Sequence, residues 1–172
     1  QLGLVRQALQ DLNLDPKTYR PRAMLAAISK AKSELVGPHN YEPQTYWQEV
    51  VGRVYVRYQE LLTANDALDF DDLLMSAYHL FADHPEVLAR YQERYLHILV
   101  DEWQDTNMAQ YELVKLLAAK YRNIFVVGDE DQSIYRWRGA DFRNLRRFHN
   151  DFPEARAILL ETNYRSTQTI LD

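Results

Sequence analysis

The sequence contains no cysteine. That excludes a disulfide framework and any thiolate metal site, and it fits a reducing compartment. Glycine is scarce, five in 172 residues, and none sits in a G-x-x-x-x-G-K-[ST] loop of the kind that cradles phosphates. No run approaches the roughly 18 to 20 uninterrupted apolar residues needed to cross a bilayer. Nor does a basic start, an apolar run and a small-residue cleavage site announce export. A cytoplasmic protein without a membrane partner is therefore expected. A net positive charge is also lacking: the sum is −5. This argues against a protein that simply coats nucleic acid, yet allows a basic groove on an acidic body.

What is present is the balance of a soluble globular chain, 47% apolar and 26% charged, with 12 tyrosines to enlarge a core. The length suits one ordinary domain or two small lobes. The chain opens on Gln1 and stops at Asp172 inside what reads as a starting helix, so both ends read as cuts.

The first half reads as helices. Met24, Ile28, Ala31 and Leu35 recur at helical spacing behind Pro21. After a Gly37-Pro38 break, Trp47, Val50, Val51, Val54, Tyr58 and Leu61 form a longer stripe. A further helix is predicted from Asp69, with Asp71 and Asp72 in an acidic first turn and Phe70, Leu73, Leu74, Ala77 and Phe81 buried. Pro85 opens another, up to about Tyr95. Beyond residue 95 the pattern changes. Three short apolar runs, 96–100, 124–127 and 157–160, each end abruptly in polar residues, with helices predicted over about 108–120 and 142–150 between them. Strands alternating with helices imply parallel βαβ units, whose ligands collect at the carboxyl ends of the strands.

Those ends carry the chemistry. Asp101-Glu102 closes the first run. One carboxylate at such a tip suits a magnesium ion, and the next suits a proton taken from an attacking water. An apolar run followed by two acids is equally what a solvated strand end looks like. The continuation Asp101-Glu102-Trp103-Gln104-Asp105-Thr106-Asn107 resembles the DExQD(T/N) box of superfamily 1 helicases of the UvrD/PcrA/Rep type. Residues 128–141, running from Gly128-Asp129-Glu130-Asp131-Gln132 to Arg138-Gly139-Ala140-Asp141, look like the third motif of that family. Leu160-Glu161-Thr162-Asn163-Tyr164-Arg165-Ser166-Thr167 looks like the fourth, and Asp69-Phe70-Asp71-Asp72-Leu73 like its DFDDL segment. The likeness is closest over residues 66–172. Over 1–65 it rests on Leu14-Asp15-Pro16-Lys17 and Ile28-Ser29-Lys30-Ala31-Lys32, which fit the family's helical accessory lobe.

The resemblance implies ATP and Mg²⁺ as cofactors, with Asp101 on the metal and Glu102 as general base. Gln132 and Arg165 would contact the γ-phosphate, and Tyr164 would stack on the adenine. Tyr135, Trp137 and Arg138 would lie along single-stranded DNA, with ss/ds junctions as the substrate. Independently of the family, residues 134–148 interleave Arg136, Arg138, Arg143, Arg146 and Arg147 with Tyr135, Trp137, Phe142 and Phe148. That is a recipe for sequence-tolerant strand binding. For Phe142, Phe148, Arg143, Arg146 and Arg147 a core-and-solvated-face reading is preferred. His39, His79, His84, His97 and His149 show no metal-ligand spacing, and the Asp69, Asp71, Asp72 cluster reads as capping. Trp103 stands where the family more often has tyrosine. No stretch matches the second motor domain.

The expected fold is therefore α/β: a partial RecA-like parallel sheet of the P-loop NTPase type over 95–172, preceded by an all-helical accessory lobe over 1–94. The expected function of the whole protein is 3′→5′ ATP-dependent DNA unwinding in repair or replication, in the cytoplasm with the nucleoid, the 172 residues alone being inactive. The alternatives are the motor part of a recombination-type helicase–nuclease, or a non-catalytic fragment that binds DNA or protein.

Overall fold

The computed structural model describes residues 1–132, 140–141 and 143–171. Its first helices, α1 (Leu2–Asp11), α2 (Pro21–Ser33) and α3 (Tyr46–Ala64), close around one apolar core. Val5, Ala8 and Leu9 meet Met24, Ile28 and Ala31, and both rows pack on Val50, Val51, Val54, Tyr55, Tyr58, Leu61 and Leu62. The spacing of three and four puts each row on one helix face, and each fully buried Val, Leu or Ile contributes about 1.5–3 kcal/mol. Pro21 begins α2, and the Thr45 hydroxyl accepts from the Gln48 amide to begin α3.

Glycine's scarcity shows at the other ends. Asn13, Leu35 and Asp66 adopt left-handed backbone after α1, α2 and α3. In each case the next amide reaches back to the helix: Leu14 to the Leu9 carbonyl, Val36 to Ala31, Ala67 to Leu62. These are the bonds of a Schellman stop, made with side chains that pay for the conformation. Leu35 thus ends α2 rather than extending its stripe.

Helix α4 (Phe70–Asp83) begins on a capping box in which Asp69 accepts from the Asp72 amide and Asp72 from that of Asp69. Its buried side is the expected one only in part: Phe81 is buried and Leu74 and Ala77 are half-buried, but Phe70 and Leu73 are not. Asp72, Met75 and Phe81 are enclosed, whereas Phe70 is 81% exposed and Leu73 is exposed too. The helix turns its Asp72 face inward because Lys32 waits there, 2.7 Å from both Asp69 and Asp72. Helix α5 (Pro85–Arg94) follows, and α4 and α5 both pack on α6 (Met108–Ala118).

Among the described residues the sheet has two parallel strands, β1 (Ile98–Val100) and β2 (Ile124–Val126), joined through α6 and paired Ile98 to Ile124, Leu99 to Phe125 and Val100 to Val126. The architecture is α/β, as expected, but each strand is buried on one face only. Ile98, Val100, Ile124 and Val126 face a second core of Trp103, Tyr111, Ala118, Phe148 and Phe152. Leu99 and Phe125 point the other way, 74% and 55% exposed.

The third run, 157–160, is not a strand. Ile158, Leu159 and Leu160 are all largely exposed and carry no regular structure. A strand exists only against a neighbour, and among the described residues none lies beside this segment. Two helices close the chain, α7 (Arg143–Asp151) and the short α8 (Gln168–Leu171). No helix among the described residues is long and apolar enough to cross a membrane.

Candidate functional site

The ladder between β1 and β2 continues past both strands. The Val127 amide donates to the Val100 carbonyl at 2.9 Å, and the Trp103 amide donates back to the Val127 carbonyl at 3.0 Å. The two carboxyl ends are therefore sewn together, and Asp101-Glu102 shares an edge with Gly128-Asp129. The chain leaves β1 sharply, because Trp103 has to dive into the second core, where its ring lies 5.6 Å from Tyr111 and 5.7 Å from Phe148. Glu102 takes up the bend with φ 51° and ψ 44°. A left-handed non-glycine residue costs about 1–2 kcal/mol, which burial of the indole offsets.

Both acids are exposed at this edge, the Asp101 carboxylate accepting from the Glu102 amide at 2.9 Å. Behind them lies Gln104, 6% exposed. Its Nε2 donates to Glu102 Oε2 at 2.7 Å, and its Oε1 accepts from the Asp129 amide at 3.1 Å. Gly128 lets the strands come this close: a Cβ there would fall 2.5 Å from Gln104 Oε1 and 3.2 Å from the Trp103 nitrogen. Asp129 in turn accepts from the Asp131 amide and from Gln132 Nε2 at 2.9 Å, which fixes the short turn Glu130–Gln132. Asp101, Glu102 and Gln132 are thus brought to one edge.

A second link runs from the acidic segment to α7. The carbonyl of Thr106 accepts from the Asp141 amide at 3.1 Å and from Asn144 Nδ2 at 2.9 Å, and the Thr106 hydroxyl donates to the Trp103 carbonyl. Asn144 is fully enclosed and accepts from Arg147, which also reaches Asp141. Burial alone would push the Asp141 carboxyl up. Hydrogen bonds from Arg143 and Arg147 outweigh it and hold it down at about 2. So Arg143 and Arg147 serve an internal pairing, and Phe148 is core, as the sequence suggests.

Arg165 and Tyr164 are not joined to this edge. They lie in a bend that the Asn163 side chain organises by accepting from the Arg165 and Ser166 amides, and Tyr164 is 92% exposed. Without a third strand, nothing among the described residues carries their side chains to the tips of β1 and β2. Tyr135, Trp137, Arg138 and Phe142 lie outside the described residues. An open groove of about 1380 Å³ between α2, the start of α3 and α7 has Ala140 and Asp141 in its wall. Lys30, Tyr41, Trp47, Arg143 and Arg147 are among the residues that line it.

Chemically, the edge is a set of hard oxygen donors. Asp101, Glu102, Asp105, Asp129 and Asp131 have no lysine or arginine ion-pair partner among the described residues, and Asp105 Oδ1 is buried without a hydrogen bond there. No cluster of three or more acids or histidines among the described residues forms a closed metal cage. One or two carboxylates with open positions is what Mg²⁺ takes when it also binds a nucleotide, so the donor set fits that ion. Sequence reasoning passed over Gln104, Thr106, Asn144 and Lys32. Gln104 and Thr106 belong to the motif after β1 and Lys32 to the segment 28–32, but their partners are not local. Gln104 pairs with Asp129 across 25 positions, and Lys32 and Thr106 with their partners across 37 to 40, which no local pattern reveals.

Comparison with known proteins adds the family. Residues 1–153 match the family described as the UvrD/REP helicase N-terminal domain. The chain is 52% identical to the ATP-dependent DNA helicase PcrA of Bacillus subtilis (strain 168), over 99% of this chain and 23% of that protein. It is 51% identical to the PcrA of Staphylococcus aureus (strain Mu50), over 100% of this chain and 24% of that protein. The chain spans about a quarter of the length of these curated relatives. The likeness extends through residues 1–65, where the sequence motifs were sparse.

Proposed function

The chain belongs to the UvrD/REP helicase N-terminal domain family, and from that premise we propose that the protein carrying it is an ATP-dependent DNA helicase that moves 3′→5′ on single-stranded DNA and acts at ss/ds junctions. Its two strands are part of a larger RecA-like sheet, residues 1–94 form the accessory lobe, and 95–172 belong to the motor. The setting is DNA repair or replication in the cytoplasm, in association with the nucleoid.

The observation that carries this reading is the stitched edge, where Asp101 and Glu102 on one strand end meet the Asp129–Gln132 turn on the next. Bound Mg²⁺ and ATP supply the electrophilic phosphoryl group and its leaving group. Asp101 would hold the ion, and Glu102 would accept the proton of the attacking water. Gln132 contacts the γ-phosphate, where its amide both donates and accepts. Arg165 would meet the same phosphate and Tyr164 the adenine once the 157–165 segment is carried to the edge by strand neighbours supplied from the rest of the protein. Tyr135, Trp137 and Arg138 line the DNA path, aromatic rings serving as base platforms and the guanidinium meeting phosphate. The chain has no phosphate loop, so the 172 residues alone hydrolyse ATP negligibly.

The test is the full-length protein with Glu102→Gln. DNA-stimulated ATP hydrolysis is expected to fall at least about 100-fold with nucleotide binding retained. Hydrolysis at the wild-type rate rejects the reading.

A further inference from the structure

Glu102 sits on an exposed left-handed bend. A side chain there has the freedom to sample several rotamers, whereas proton abstraction demands one. Among the described residues one side chain tethers it, through Gln104 Nε2. We propose that Gln104 is a positioning residue for this reaction: its buried amide aims the Glu102 carboxylate and links that aim to the turn bearing Gln132. The proposal rests on the function given above and deepens it.

The orientation of the amide is fixed by chemistry. A backbone N–H only donates, so the Asp129 amide must face the Gln104 oxygen. The NH₂ group is then turned toward Glu102, which as a carboxylate only accepts. Gln104 is 6% exposed, so its own amide is held away from water while the carboxylate it aims stays open to solvent. Gly128 leaves no slack behind it, because even a methyl group would overlap the amide oxygen. Asp129 meanwhile holds the Gln132 side chain through its own carboxylate. A displacement of the Glu130–Gln132 turn therefore pulls on the Asp129 amide, rotates Gln104 and releases Glu102. In this way the turn that contacts the terminal phosphate governs whether the base is aimed.

The decisive variant is Gln104→Glu in the full-length protein. It keeps the volume and still accepts from the Asp129 amide, but it has no hydrogen to offer Glu102. Gln104→Met removes both bonds and serves as the second variant. Steady-state ATP hydrolysis with single-stranded oligonucleotide would be measured beside binding of a non-hydrolysable nucleotide and thermal unfolding. Both variants are expected to lose at least about tenfold in kcat with KM changed less than about twofold. A variant that keeps wild-type kcat, or that raises KM at constant kcat, overturns the proposal. Glu102→Gln run alongside separates the two levels. If Glu102→Gln is inactive while both Gln104 variants are fully active, only the positioning role fails. If Glu102→Gln is fully active, the function reading fails first.

Discussion

The ammonium of Lys32 lies 2.7 Å from a carboxylate oxygen of Asp69, with neither side chain reached by solvent. A second carboxylate, that of Asp72, is equally close, and the Tyr58 hydroxyl donates to Asp69 at 3.0 Å. Charges removed from water in this way are tolerated only when every partner is in place. The cluster joins α2, α3 and α4, and through α4 it reaches α6. Burial tends to raise the Asp69 carboxyl, but Lys32, the Asp72 amide and Tyr58 together bring it below the ordinary value.

Lys32→Met is therefore expected to destabilise the chain by about 3–5 kcal/mol, since two carboxylates remain buried without their cation. Urea denaturation followed by far-ultraviolet circular dichroism measures it. A loss under about 1 kcal/mol would mean that water reaches the cluster.

Asp141 gives a pH dependence of definite sign. Its carboxyl, ordinarily at 3.8, is held at about 2 in the folded chain. A depressed acid stabilises above its unfolded value and loses that contribution as pH falls through the folded one. Asp141→Asn is thus expected to cost about 1–2 kcal/mol near pH 7, discounted for the exposed Arg143 partner. The gap to wild type should narrow from about pH 4 downward and close near pH 2. Paired denaturation curves across that range test it, and a gap that widens on acidification contradicts the assignment.

Asp66 ends α3 in left-handed backbone with φ 48° and an exposed side chain. Glycine occupies that region without a Cβ penalty, and the Schellman bonds come from the backbone alone. Asp66→Gly should stabilise by about 0.5–1 kcal/mol. A lowered melting temperature would show that the Asp66 side chain contributes more than its conformation costs.

Much of this molecule can be read from its letters where the determinants are local. Periodicity locates α2, α3 and α4, and the Asp69-x-x-Asp72 spacing announces the capping box. Apolar runs locate β1 and β2, and the acids after Val100 do stand at a strand end. Long-range pairing is what escapes. The 157–160 run has the composition of a strand, but composition does not supply a neighbour. Phe70 and Leu73 belong to an apolar stripe, yet Lys32 decides which side of α4 turns inward, and nothing near Asp69 in the sequence says so. The capping explanation of the acid cluster was correct for Asp69 and Asp72 and incomplete without their cation. Gln104 shows the converse: its motif was visible, but the direction of its amide depends on Asp129, 25 positions on.

The separation between Lys32 and its acids bears on the order in which the protein can take shape. Translation delivers Lys32 some 37 to 40 residues before Asp69 and Asp72. Until those acids emerge, a hydrated ammonium stands where Tyr55 and Tyr58 must close over α2. The seating of Tyr55 and Tyr58 over α2 therefore depends on the start of α4, so a protein cut before Asp69 would keep the three helices but lose the partners of a buried cation.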